Sequence, residues 1–268
     1  MVQMMAGACA ALSESNCALV GGHTCEGTEM ALGFAINGAT TTEHHAGTNT
    51  TAAAAGGAGD NSNNSNAGVL AKGGMVAGQA LVLTQGLGTG VLFAARMRNQ
   101  TKGPWVSAAL QRMCQSSRVA ASLVTAHGAS ACTDVTGFGL AGHLAEMCKA
   151  SGPEVGGELW LSTVPLLDGA KECVAKGIFS SLQPANLRLR RAVNVDENSA
   201  IARDPAFALL FDPQTSGGLL TSVPMDRASE LVQALKEAGY ADSCVIGRVV
   251  ERVADSNDPD GPSIQLLP

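Results

Sequence analysis

The hydrophobic pattern of the chain falls into two periodic regions separated by one with no pattern. Met1, Met4, Met5, Ala8 and Leu12 share one face at helical spacing, which predicts a helix over Met1 to Ser15, although no capping residue introduces it. Cys17 to Val20 is a short apolar run. Met30, Leu32, Phe34 and Ile36 alternate within Glu29 to Asn37, so two strands are predicted, joined through Gly21 to Thr28. From Thr40 to Asn66 there is no Val, Ile, Leu, Met, Phe, Tyr or Trp. Such a stretch buries too little apolar surface to offset its ordering entropy, and disorder is expected.

Periodicity resumes after Lys72. Ala80 to Thr84 reads as a strand, followed by a glycine-rich turn and a helix from about Thr89. Trp105 to Ala126 reads as one long helix, with Val106, Leu110, Met113, Val119 and Leu123 at mostly helical spacing. Another helix is expected from near Leu140 to Lys149. The apolar runs Ala208 to Phe211 and from Leu219 onward read as strands about a reverse turn that starts at Asp212-Pro213.

Composition narrows what these elements serve. The chain has 268 residues, 46% hydrophobic and 15% charged, enough for one large domain or two ordinary ones. A net charge of −6 provides no basic field for nucleic acid or an anionic membrane surface, so neither is an expected partner. No apolar run reaches the roughly 18 residues that span a bilayer, and the first residues lack the basic start of a signal peptide, which predicts a cytoplasmic location. The eight cysteines form no C-x-x-C pair, and reduced, mostly buried thiols are expected.

Three segments carry candidate chemistry. In "LVLTQGLGTGV" the glycines Gly86, Gly88 and Gly90 fail the dinucleotide fingerprint, because Val91 stands where its third glycine belongs. The phosphate-binding pattern G-x-x-x-x-G-K-[ST] is absent throughout. In "CTDVTGFGLAGH" the carboxylate of Asp134 precedes bare glycine backbone, which suits a magnesium ion that keeps water and phosphate oxygens; a self-bonded turn cap is the other reading. In "LLFDPQTSGGLL" the glycine amides with Thr215 and Ser216 form either a reverse turn or an anion nest. His127 and His143 read as structural histidines, and the His44-His45 pair as part of a solvated loop. Arg188, Arg190 and Arg191 read as an exposed basic face rather than a phosphate site.

Together, "CALVGGHTCEGTEMALGFAING", "LVLTQGLGTGV", "CTDVTGFGLAGH" and "LLFDPQTSGGLL" resemble selenophosphate synthetase, of the aminoimidazole ribonucleotide synthetase-like superfamily. The likeness runs in order from Met1 to about Val250. It implies an α/β (α+β) two-domain fold: an incomplete N-terminal ATP-binding and dimerisation domain over 1–39, a low-complexity linker over 40–72, and a C-terminal α/β domain over 73–268. It also implies a homodimer that uses ATP and magnesium to phosphorylate selenide, giving selenophosphate, AMP and phosphate for selenocysteine synthesis.

By the same resemblance, Gly21, Gly22, His23 and Thr24 approach a nucleotide bound mainly by the partner subunit, and Asp134 holds magnesium. The family's reactive cysteine or selenocysteine, its catalytic lysine and its other metal-binding aspartates are expected upstream of Met1, so no catalytic residue is assigned here. The chain is accordingly expected to be inactive alone. Gln85-Gly86 departs from the lysine and proline usual before Leu-Gly-Thr-Gly. An aminoimidazole ribonucleotide synthetase-type ligase, a non-catalytic regulatory paralogue and a purely structural scaffold are the alternatives.

Overall fold

The computed structural model describes residues 1–38, 70–252 and 261–268, and the chain divides into two units, Met1–Val69 and Leu70–Pro268. The stretch expected to be disordered and the His44-His45 pair lie outside the described residues.

In the first unit α1, Val2–Glu14, forms as its spacing predicts and buries none of its residues. It ends at Asn16 in the left-handed region (φ 52°), where the Cys17 N–H donates to Leu12 O at 2.8 Å. The two predicted strands do not form: residues 17–38 contain no strand, and Val20 and Ile36 are 94% and 76% exposed. Alternation records which face a segment offers, whereas a strand exists only when a neighbour satisfies its N–H and C=O groups. No such ladder is present among the described residues of this unit.

The second unit is built on one sheet. In chain order its elements are β1 Ala80–Leu83, α2 Thr89–Met97, α3 Gly103–Met113, α4 Arg118–Ala126, β2 Ala131–Asp134, α5 Gly139–Ser151 and β3 Val155–Trp160. They continue with α6 Ala170–Ala175, α7 Gln183–Asn186, β4 Val193–Asn194, α8 Ala200–Arg203 and α9 Pro205–Leu209. β5 Leu219–Val223, α10 Met225–Glu237, β6 Cys244–Glu251 and β7 Ile264–Leu267 complete the order. The strands lie in the order β2-β5-β1-β6-β3-β7-β4, antiparallel except where β7 runs parallel to β3 and β4.

β1 sits third in that sheet and is buried at all four positions, which is why its sequence is an unbroken apolar run. Leu81 and Leu83 pack with Leu140, Leu144 and Met147 of α5, while Ala80 and Val82 pack with Val124 of α4 and Leu231 and Leu235 of α10. Both faces are therefore covered, and the edge strand β2 is left to carry Asp134 at its end.

Three expectations change. The long helix over Trp105 to Ala126 is two helices, α3 and α4, broken at Cys114–Ser117. The buried Tyr240 explains the break: its hydroxyl donates to Ser116 O at 2.7 Å and accepts from Ala120 N–H at 3.1 Å, so a side chain occupies groups that a continuous helix would use internally. The apolar run before Asp212 is the end of α9 and the turn after it, the helix being started by Asp204, whose carboxylate accepts from Ala206 N–H at 2.8 Å; β5 alone is a strand. Of the cysteines only Cys148 and Cys173 are buried, whereas Cys9, Cys25 and Cys114 are exposed. Cys9 and Cys25 lie in the first unit, where the described residues include no buried position.

Tyr240→Phe keeps the ring and removes both bonds to the α3–α4 junction. It is expected to lower stability by about 1–3 kcal/mol in urea unfolding, most of it from the stranded Ala120 and Ser116 groups.

Candidate functional site

The three glycine-rich segments of the second unit meet around the start of α2. Gln214 reaches back across the fold: its Oε1 accepts from Gly88 N–H at 3.0 Å, Thr89 N–H at 3.2 Å and Thr89 Oγ1 at 3.1 Å. Asp212, with no exposed surface, accepts at Oδ2 from Val91 N–H at 3.2 Å and from Gln214 Nε2 at 3.0 Å. The orphan amides of the first turn of α2 are thus taken by two side chains more than 120 residues away. Gly90 permits the approach, since a Cβ there would lie 2.6 Å from Asp212 Oδ1 and 2.5 Å from Pro213 O.

The rest of Asp212–Gly218 holds the neighbouring loop. Gln214 N–H donates to Thr136 O at 3.0 Å, Val135 N–H donates to Gly218 O at 2.9 Å, and Thr215 N–H donates to Thr89 Oγ1 at 2.9 Å. Gln85 is used in the same way, its Nε2 donating to Ser216 O at 3.1 Å. Gly139 (φ 71°) lies against the backbone of Leu210 to Asp212, where a Cβ would meet oxygen at 2.8 Å. The side chains of Asp212 and Gln214 are thus spent on the fold, whereas Thr215 and Ser216 are exposed.

Asp134 stands at the end of β2 and is exposed. Behind it His143 is 5% exposed on α5 and places Nε2 3.1 Å from Thr136 Oγ1. Its Nδ1 lies 3.2 Å from Glu146 Oε2 without the alignment of a hydrogen bond, so the carboxylate acts on it as a neighbouring charge. Glu146 in turn accepts from Lys72 Nζ at 2.9 Å. Burial lowers the His143 pKa below its ordinary value, against the opposing charges of Glu146 and Asp134, and the imidazole is neutral at pH 7. Burial also pushes the thiol of Cys132, two residues before Asp134, up to about 11, which leaves it protonated and inert.

Gly21, Gly22, His23 and Thr24 lie together on an exposed, irregular stretch of the first unit, and nothing lies within 4 Å of a Cβ built on either glycine. His127 is structural, with Nδ1 2.8 Å from Leu123 O. Arg190 pairs with Glu197 and lies over the Phe207 ring rather than gathering with its neighbours. Among the described residues no three His, Cys, Asp or Glu side chains cluster as a metal cage, and no helix is long and apolar enough to cross a membrane. Sequence reading missed Gln214, Thr136, Glu146 and Lys72. Only the i,i+3 spacing of His143 and Glu146 offered a local signal.

A sheet covered on both faces, with an exposed aspartate leading into a glycine-hinged helix, defines the class. Residues 76–256 match the family model described as AIR synthase related protein, C-terminal domain, and the chain belongs to that family. Within it the chain is similar to selenide, water dikinases. It is 34% identical over 241 residues to that of Pelobacter propionicus, and 30% identical over 253 residues to that of Clostridioides difficile. These alignments cover 90% and 94% of the chain but 61% and 64% of the relatives' own lengths. The solved structure of hydrogenase maturation protein HypE shares the fold, with a TM-score of 0.51 at 14% identity, over 69% of this chain and 48% of that one.

The buried Asp212 gives the site a pH signature. Burial raises its carboxyl pKa from 3.8 to about 7, outweighing the amides of Val91, Gln214 and Gly90. Between about pH 4 and 7 the folded chain therefore holds a proton that the unfolded chain has released. Stability due to this group is complete below about pH 4 and is lost as pH rises through 7, with a slope of at most about 1.4 kcal/mol per pH unit. Urea unfolding from pH 5 to 8 is expected to show that fall in the wild type and a flatter profile in Asp212→Asn.

Proposed function

We propose that the chain serves ATP-dependent phosphorylation of selenide to selenophosphate, as the C-terminal part of a selenide, water dikinase that works as a cytoplasmic homodimer. The names of its relatives supply the reaction, and the presentation of Asp134 is the observation that ties it to this chain. A solvent-facing carboxylate on a backbone pinned from behind is pre-organised to receive a cation, whereas a turn-capping aspartate would be bonded to its own loop.

The donor set fits magnesium of one kind. A lone carboxylate does not make a cage, but magnesium keeps several waters and is commonly held by one or two carboxylates together with substrate phosphates. When bound, the ion neutralises charge on the phosphates during transfer. In this reading Asp134 supplies one oxygen to the hydrated ion, and the bare backbone of Gly21 and Gly22, with His23 and Thr24, approaches a separate nucleotide, bound mainly by the partner subunit. With Asp134 the single assigned metal ligand, turnover by these 268 residues alone is not expected.

The test is phosphorus NMR of ATP, magnesium and selenide under anaerobic conditions. It compares this chain with a chimera that adds the N-terminal part of the Pelobacter propionicus relative. The chimera is expected to form selenophosphate and AMP, and Asp134→Asn in it to lower the rate by on the order of 100-fold. Turnover by the unextended chain, or a chimera indifferent to Asp134→Asn, would overturn the assignment. ATP binding without product would favour the regulatory alternative.

A further inference from the structure

The segment between Asp134 and α5 is held by two kinds of contact. On the side of Asp212–Gly218 the bonds join backbone to backbone, through Val135 N–H and Thr136 O, and Asn186 Nδ2 adds a bond to Gly137 O at 2.7 Å. The other contact is made by side chains: Thr136 Oγ1 with His143 Nε2, backed by Glu146 and Lys72. His143 occupies a core-facing position of α5 beside Leu140, Leu144 and Met147, all fully buried. For packing alone, an apolar residue would serve this position without the desolvation of an imidazole and the strain of a neighbouring charge.

The surrounding charges define what the imidazole does. Glu146 faces Nδ1 and favours the tautomer with its proton there, leaving Nε2 as an acceptor for the Thr136 hydroxyl. Lys72 balances Glu146, so the carboxylate holds the ring without charging it. The hydroxyl bond then adds a side-chain hold on Thr136, two residues after Asp134, to the backbone pins.

We propose that His143 is a positioning residue for Asp134: through Thr136, and held by Glu146 and Lys72, it sets the direction in which Asp134 presents its carboxylate to a divalent cation. The inference rests on the reading of Asp134 as a metal ligand. It assigns the Lys72–Glu146–His143–Thr136 chain, which runs from an exposed lysine to a buried imidazole, a role that a structural histidine would not have. A residue that orients a metal ligand at one remove typically changes metal affinity by about tenfold or more when removed.

The experiment is a titration of Mn2+ with ATP into the purified chain, read by the electron paramagnetic resonance of free and bound Mn2+, with thermal melts in parallel. His143→Leu and Thr136→Val are each expected to weaken Mn2+ binding on the order of tenfold. The double variant is expected to be no weaker than either single one, since both cut the same bond. His143→Gln, which can return an amide to the place of Nε2, is expected to restore most of the affinity, and His143→Leu to melt no lower than the wild type. Thr136→Val and His143→Leu at wild-type affinity, with Asp134→Asn still impaired, would overturn the inference and leave Asp134 as a ligand. Asp134→Asn at wild-type affinity, or no Mn2+ binding by the wild type, would overturn the metal reading and this inference with it.

Discussion

The second unit depends on the capping of α2 by residues from the far end of the chain. A helix start buried between sheet and neighbouring helices needs partners for its amides, and water has no access to supply them. Asp212 and Gln214 meet that need, and the same short stretch bonds Val135 and Thr136. One turn thereby links three segments far apart in sequence. The full burial of Asp212 is the consequence, and its raised pKa follows from placing a carboxyl among helix amides without solvent.

That arrangement divides labour between interior and surface. With Asp212 and Gln214 on its first turn, the start of α2 has no amides left to offer a phosphate, whereas Asp134 is exposed at the edge of the sheet. Asp134 is placed there by β2, and on α5 the buried imidazole of His143 meets the loop that follows it. The exposed carboxylate is mobile in principle. Its backbone is not, because it is pinned through the same turn that caps α2.

The first unit follows the opposite physics. Its described residues bury none of their number, and Val2, Val20, Met30 and Ile36 remain largely in water. Thirty-eight described residues with one helix have too little surface to enclose a core of their own. The loss of the two predicted strands belongs to the same cause, since extended backbone without a ladder gains nothing from alternation.

The elements of the second unit were largely legible before folding. The unbroken apolar run of β1, the glycines before α2 and α5, and the apolar face of α5 are local properties, fixed by side-chain period and by torsions open only to glycine. The position of Asp134 just before the glycines that open α5 was legible for the same reason, but the strand β2 that carries it was not. What only the tertiary structure decided was which groups partner one another. Tyr240 breaks a helix whose own sequence has no break, Gln214 caps a helix 125 residues earlier, and Glu146 and Lys72 turn a core histidine into part of a chain. Period and composition describe one segment at a time, whereas a buried polar atom is satisfied by whichever group the completed packing brings within 3 Å, and no local pattern encodes that choice.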